Sequence, residues 1–240
     1  MKKILAVCCA VLGVASAAHA MDGLVYSIDS AHNGSPEING SVEVYMLSGV
    51  PEEKIAFIID TVAGEGPSLS TVYGVASVHG DTADFAVTGC SFKMKLSAAS
   101  LLVSEVKNCS AYMSGNDARI AGTYKFDRRV SSQGALLELK APGMEGQLTV
   151  IPFKTRTIGG GNYLGFSLST VSGPTSQQAL IDGVASGRND SFVYKDGGCR
   201  LNLSSGPGSS VIVSNGDETC RQFMGARATV NGRYKFVQPK

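Results

Sequence analysis

GTYKF occupies residues 122–126, and GRYKF occupies residues 232–236 near the end of a 240-residue chain. The two segments are the ends of a longer internal match, and self-similarity at a fixed offset is the first thing to seek in a sequence. A shift of 109 positions lays Phe57 on Phe166, Thr61-Val62 on Thr170-Val171 and Gly64 on Gly173. The same shift lays Gly74-Val75-Ala76-Ser77 on Gly183-Val184-Ala185-Ser186, Asp81 on Asp190, and Gly89-Cys90 on Gly198-Cys199. After a slip of two, Cys109 meets Cys220, and ARIAGTYKF (118–126) then meets ATVNGRYKF (228–236). Cysteines, glycines and a closing segment recurring in one order mark a tandem duplication. RRVSSQG (128–134) has the composition of a turn and separates the copies. The division is therefore a leader at 1–20, one domain at 21–130 and a second at 131–240, each of ordinary domain size.

Within each copy the pattern is that of strands. In SFKMKL (91–96), Phe92, Met94 and Leu96 alternate with Ser91, Lys93 and Lys95, which is the period of a half-buried strand. SAAS turns the chain and LLVSEV returns it. In the second copy RLNL, the loop SSGPGSS and VIVS repeat the arrangement. Seven or eight such runs per copy, with glycine-rich turns and no long amphipathic segment, predict two all-β domains, each an antiparallel barrel or sandwich. GTYKF and GRYKF read as the last strand of each, with tyrosine and phenylalanine on one face and Lys125 and Lys235 on the other. Four cysteines beyond the leader allow three pairings. Cys90–Cys109 with Cys199–Cys220 is the simplest, because it repeats with the sequence and closes the open end of one hairpin per domain. Zinc ligation is the rival, but there is no CxxC and no histidine nearby.

The first twenty residues, MKKILAVCCAVLGVASAAHA, have a lysine-led start, a short apolar run and Ala-His-Ala before the expected cut. That is the pattern of a cleaved secretory signal of bacterial form. Acylation at Cys8 or Cys9 would split the apolar run. No other stretch is long and apolar enough to span a bilayer as a helix. Loss of Lys2 and Lys3 from the 21 basic residues leaves 19 against 20 acidic ones, a formal charge of −1. Such a balance gives no electrostatic case for nucleic acid. A periplasmic or secreted location also suits paired cysteines.

Motifs of catalysis are missing. No GxSxG, HExxH or phosphate-binding glycine loop occurs, and the glycine run 159–161 leads toward strand rather than helix. No cofactor or metal is implied. His32 and His79 lie in turn sequences, and the second copy has Arg188 in place of His79. Five NxS sites, at Asn33, Asn39, Asn108, Asn189 and Asn202, read as turn residues beside a bacterial leader. Carboxylates that could serve a glycosidase are Glu52, Glu53, Asp60, Glu65, Asp81, Asp84, Glu105, Asp190 and Glu218. Only Asp81 and Asp190 occupy matching positions, in sequences where aspartate commonly caps a turn.

The segment SGRNDSFVYKDGG (186–198) carries Ser186-Gly187, Tyr194 and Lys195-Asp196-Gly197. With the disulfide-stapled β architecture, it resembles the small periplasmic lysozyme inhibitors. The first copy, SVHGDTADFAVTG (77–89), lacks both the Ser-Gly and the lysine. The resemblance implies an antiparallel barrel without catalytic residues that binds a protein partner, a lysozyme or a toxin enzyme, and occludes its cleft. It implies contact through Ser186, Tyr194 and Lys195. Two alternatives from other classes are an envelope or assembly component pairing through exposed edge strands, and a carboxylate-dependent hydrolase built on Asp81 and Asp190.

Overall fold

In the computed structural model, residues 19–32, 35–47, 53–63, 68–115, 118–153 and 161–236 are described. Residues 1–18 of the leader expected at 1–20 lie outside them, as do Glu52, Glu65 and most of the glycine run at 159–161. The chain divides into two compact units between Ser132 and Gln133, with Phe153 belonging to the first. Each unit is a closed antiparallel barrel of eight strands.

The first barrel runs β1 (His19–His32), β2 (Ser35–Leu47), β3 (Lys54–Ala63), β4 (Ser68–His79), β5 (Thr82–Val87), β6 (Cys90–Leu96) and β7 (Ser100–Lys107). A two-residue strand, β8 (Met113–Ser114), pairs with β4. The eighth stave is the first part of β9 (Gly122–Ala141), which pairs with β7 and closes on β1. The second part of β9 opens the second barrel. It is followed by β10 (Met144–Pro152), β11 (Asn162–Ser172), β12 (Gln177–Arg188), β13 (Ser191–Asp196), β14 (Cys199–Gly206), β15 (Ser210–Ser214) and β16 (Gly232–Phe236). β16 returns to β9, Phe236 opposite Leu137.

GTYKF is thus the opening of a long strand, whereas GRYKF is the last strand of its barrel. RRVSSQG, expected as a turn, is strand throughout. Its polar composition suggested a break, but it contains no proline and its one glycine comes last. A polar segment of that kind, exposed at Arg128 and Arg129 and buried at Ser132, stays extended once neighbours are available to satisfy its backbone groups.

The predicted alternation holds inside the barrels. Phe92 and Met94 are buried in β6 while Lys93 and Lys95 are exposed. The duplication is visible as repeated geometry. Phe57 lies opposite Gly74 across β3 and β4, and Phe166 lies opposite Gly183 across β11 and β12. A neighbouring ring covers each glycine, Phe85 in the first barrel and Tyr194 in the second, and a side chain at either glycine would collide with it. These rings meet the Phe57 and Phe166 rings edge to face, with centroids 5.0 and 5.2 Å apart. Disulfides join Cys90 to Cys109 and Cys199 to Cys220, each closing the hairpin expected of it.

The tyrosines of GTYKF and GRYKF are fully buried. Tyr124 donates its hydroxyl to the Ile120 carbonyl at 2.7 Å, and Tyr234 donates to Val230 at 2.8 Å. Beside each, a threonine serves the preceding carbonyl: Thr61 donates to Arg119 at 2.7 Å and Thr170 to Thr229 at 2.6 Å. The segments 118–121 and 228–231 lie outside the strands. Their carbonyls therefore need partners from side chains, since a buried polar group left unpaired is destabilising. The repeated Tyr and Thr supply them.

Candidate functional site

The inhibitor-like segment 186–198 folds as the hairpin of β12 and β13. Ser186 is half-buried and paired with Val193. Tyr194 packs inward, 8% exposed, against Phe166 and over Gly183. Its hydroxyl approaches Asp196 at 3.4 Å. The ring is the counterpart of Phe85, and the core occupies it. The turn between the strands is held by Asn189 in the left-handed region (φ 55°), where the first barrel has Gly80 (φ 66°). Asparagine tolerates that conformation better than most residues, which accounts for one of the NxS sites as a turn residue.

Lys195 is exposed on β13. Directly opposite it on β14 stands Arg200, also exposed. Neither forms an ion pair among the described residues. Like charges facing each other across a strand pair are destabilising. The first barrel has Ala86 and Ser91, a neutral pair, at the same positions. Arg200 was not singled out from the sequence. The signal was the shift of 109, which converts Ala86 to Lys195 and Ser91 to Arg200 together.

Along the same two strands the second barrel loses the ion pairs of the first. In the first barrel Lys93 meets Glu105 at 2.9 Å and Lys95 meets Asp81 at 3.5 Å. Lys93 is held protonated above the usual lysine range by the hydrogen bond and charge of Glu105, with Asp84 adding to it. The second barrel has Asn202 for Lys93 and Ser204 for Lys95. Asp190, the counterpart of Asp81, is exposed and has no ion-pair partner among the described residues. Asp81 and Asp190 fall in different units, each in its own hairpin turn.

Other carboxylates are engaged locally. Asp60 is buried and accepts a hydrogen bond from Thr71 at 2.6 Å. Asp217 accepts from the Val230 and Asn231 amides at 2.7 and 3.2 Å and from the Thr229 hydroxyl. It sits on a single helical turn, Gly216–Thr219, that fixes the approach to β16. His79 is exposed at the end of β4. Among the described residues, no cluster of three or more His, Cys, Asp or Glu side chains could hold a metal.

At one end of the second barrel, beneath the turn at 189–190, lies a half-open cavity of about 50 Å³. Val150, Leu164, Phe192, Leu203 and Val211 form its walls, and Asn189, Asp190, Ser204 and Ser205 stand on its polar side. Comparison with family models, with curated proteins and with solved structures gave no match.

Proposed function

We propose that the chain is a non-catalytic binding protein of an oxidising compartment outside the cytoplasm, delivered there by the cleaved leader at 1–20. Two disulfides suit that compartment, and no helix among the described residues is long and apolar enough to cross a membrane. The second barrel carries the contact face, and its partner is an enzyme with an acidic cleft.

One observation carries this reading. Lys195 and Arg200 stand exposed and side by side, at a cross-strand position where the first barrel is neutral. A like-charge pair of this kind weakens its own sheet and is relieved when carboxylates approach it. Glycosidases of the lysozyme kind offer two carboxylates flanking the scissile bond. Arginine and lysine on a rigid hairpin are suited to such a target, arginine as a planar fork and lysine as a point charge. Duplication leaves the first barrel free to keep the ancestral core without the cationic face. Assembly through edge strands is disfavoured by closure, which pairs each barrel strand on both sides.

The test is titration of the mature protein into lysozymes of the c, g and i types, following lytic activity. Saturable one-to-one inhibition of one type is expected. Arg200→Ala and Lys195→Ala should each weaken it by about tenfold or more, the range of residues central to an interface. Full inhibition by the double variant, or none by the wild type, refutes the assignment.

A further inference from the structure

The two barrels carry different side chains at the end where the cavity opens. Their registers make the comparison residue by residue. The Leu96 amide donates to the Asp81 carbonyl at 2.7 Å, and the Ser205 amide donates to the Asp190 carbonyl at 3.0 Å. Leu96 faces Leu101 across β6 and β7, and Ser205 faces Val211 across β14 and β15. Leu96 packs against the core of the first barrel. In the second barrel its place is taken by a serine, Met94 is replaced by Leu203, and Leu101 by Val211. Serine for Leu96 and valine for Leu101 remove side-chain volume at this position, whereas leucine for methionine conserves it. Phe192, in place of Ala83, adds volume but stands in the cavity wall.

Two polar features accompany the lost volume. The Ser205 hydroxyl oxygen is shielded from solvent and has no hydrogen-bond partner in the protein. A buried polar atom in that state is destabilising and marks a place where a partner is missing. Asp190, on the rim, has lost the lysine that its counterpart Asp81 holds at 3.5 Å. Arg188, two residues before it, does not line the cavity and forms no ion pair with it among the described residues. An eight-stranded barrel is at the size where the interior is either filled by side chains or takes one small ligand. At this end the second barrel holds space that its side chains do not fill.

We propose that this cavity is a binding site for a primary aliphatic amine. The alkyl chain lies against Leu203, Val211 and Phe192, and the ammonium sits at the rim. There it supplies the positive charge that Lys95 gives Asp81 in the first barrel, beside the wall that carries Ser205. A space of about 50 Å³ is several times the roughly 10–15 Å³ that one water needs, so the site takes the end of a slender chain and leaves the head group in the open mouth. A carboxylate head would meet Asp190 with the wrong sign, and an alcohol would leave that charge unanswered. The site does not depend on the partner proposed for Lys195 and Arg200, which belong to a different stretch of the hairpin.

The experiment uses the whole mature chain and three probes of equal length: hexylamine, hexanol and hexanoate. Backbone amide shifts are followed by NMR during titration. Hexylamine should give saturable shifts at β14, β15 and the turn at 189–190, and bind about fivefold or more tighter than hexanol, the scale of one solvent-screened charged contact. Ser205→Leu, which installs the residue of the first barrel, should abolish the response while keeping or raising the melting temperature. Val211→Leu narrows the same space by a gentler change and should weaken binding if Ser205→Leu proves poorly folded. Asp190→Asn should bring hexylamine to the level of hexanol. Absent or non-saturating shifts overturn the site, as does binding undiminished by both filling variants. Equal binding of hexanol to the wild type overturns the assignment of an amine.

Discussion

The two barrels share an interior framework and differ on the outside and at one end. In the first, two lysines of β6 form ion pairs on the outside, Lys93 with Glu105 of β7 and Lys95 with Asp81 of the β4–β5 turn, and Leu96 packs against the core. In the second, the corresponding region carries two facing cations, an aspartate with no ion pair among the described residues, and a cavity. What both retain is the apparatus of folding: the covered glycine, the disulfide, and the tyrosine and threonine that satisfy consecutive carbonyls. Change has gathered at positions that closure of the barrel does not use. A duplicated domain therefore separates, without any outside reference, the residues that fold it from the residues that have been put to other ends.

The comparison is most easily broken at the disulfides. The bonded residues are 19 apart in the first barrel and 21 in the second. By chain entropy, loops of that size are worth about 3 kcal/mol each. The paired serine variants of Cys199 and Cys220 should lose about that much, and so should those of Cys90 and Cys109. Hydrogen exchange decides whether the barrels are separate cooperative units. Faster exchange confined to β14 and β15 in the first variant, and to β6 and β7 in the second, is the expected pattern. Equal acceleration in both barrels would mean that they unfold as one.

The covered glycines sharpen the comparison further. A methyl group at Gly74 collides with the Phe85 ring, and one at Gly183 with the Tyr194 ring. Overpacking of this kind costs about 1–3 kcal/mol. The two sites should not respond equally. Phe85 is hemmed by Phe57 and also by Phe92, whose centroid lies 4.8 Å away. Tyr194 has Leu201 in place of that second ring. Gly183→Ala should therefore be tolerated better than Gly74→Ala. Thermal melts of the two variants test this, and the reverse order would show that the ring in the second barrel is the less mobile one.

Much of this was legible in the chain itself. GVAS repeated at 74–77 and 183–186, with Cys90 and Cys199 in step, was enough for two homologous β domains and the pairing of their cysteines. Alternation in SFKMKL gave the inward residues of β6 correctly. The failures have definite causes. RRVSSQG reads as a turn because composition reports polarity, whereas a strand shared by two barrels needs only a backbone without breakers. Tyr194 reads as a contact residue because a tyrosine beside a lysine suggests a surface. Its alignment with Phe85 points inward instead, and that alignment was available. Arg200 needed strand register, since nothing in the sequence says that residues 195 and 200 face each other across a turn. The cavity needed the fold as well. The offset of 109 already lays Leu96 on Ser205, but only the packed strands show that space stands open beside the serine.

The smallest effect tests the oldest feature, the tyrosine of GTYKF and GRYKF. Tyr124→Phe and Tyr234→Phe each delete one buried hydrogen bond and leave a carbonyl unanswered, for about 1 kcal/mol at neutral pH. Both hydroxyls are pushed well above the ordinary tyrosine value of 10 by burial, and Tyr234 additionally by the charge of Asp217. A raised value in the folded state means that the native barrel keeps its proton when the unfolded chain has begun to release it. The stabilisation is therefore complete below about pH 10 and is lost as pH rises from there toward the folded value. Phenylalanine has nothing to release. The wild type and each variant should converge in stability as denaturation is followed from pH 9 to pH 11. A difference that stays constant across that range would mean that the hydroxyls reach solvent, and that the repeated tyrosine serves packing alone.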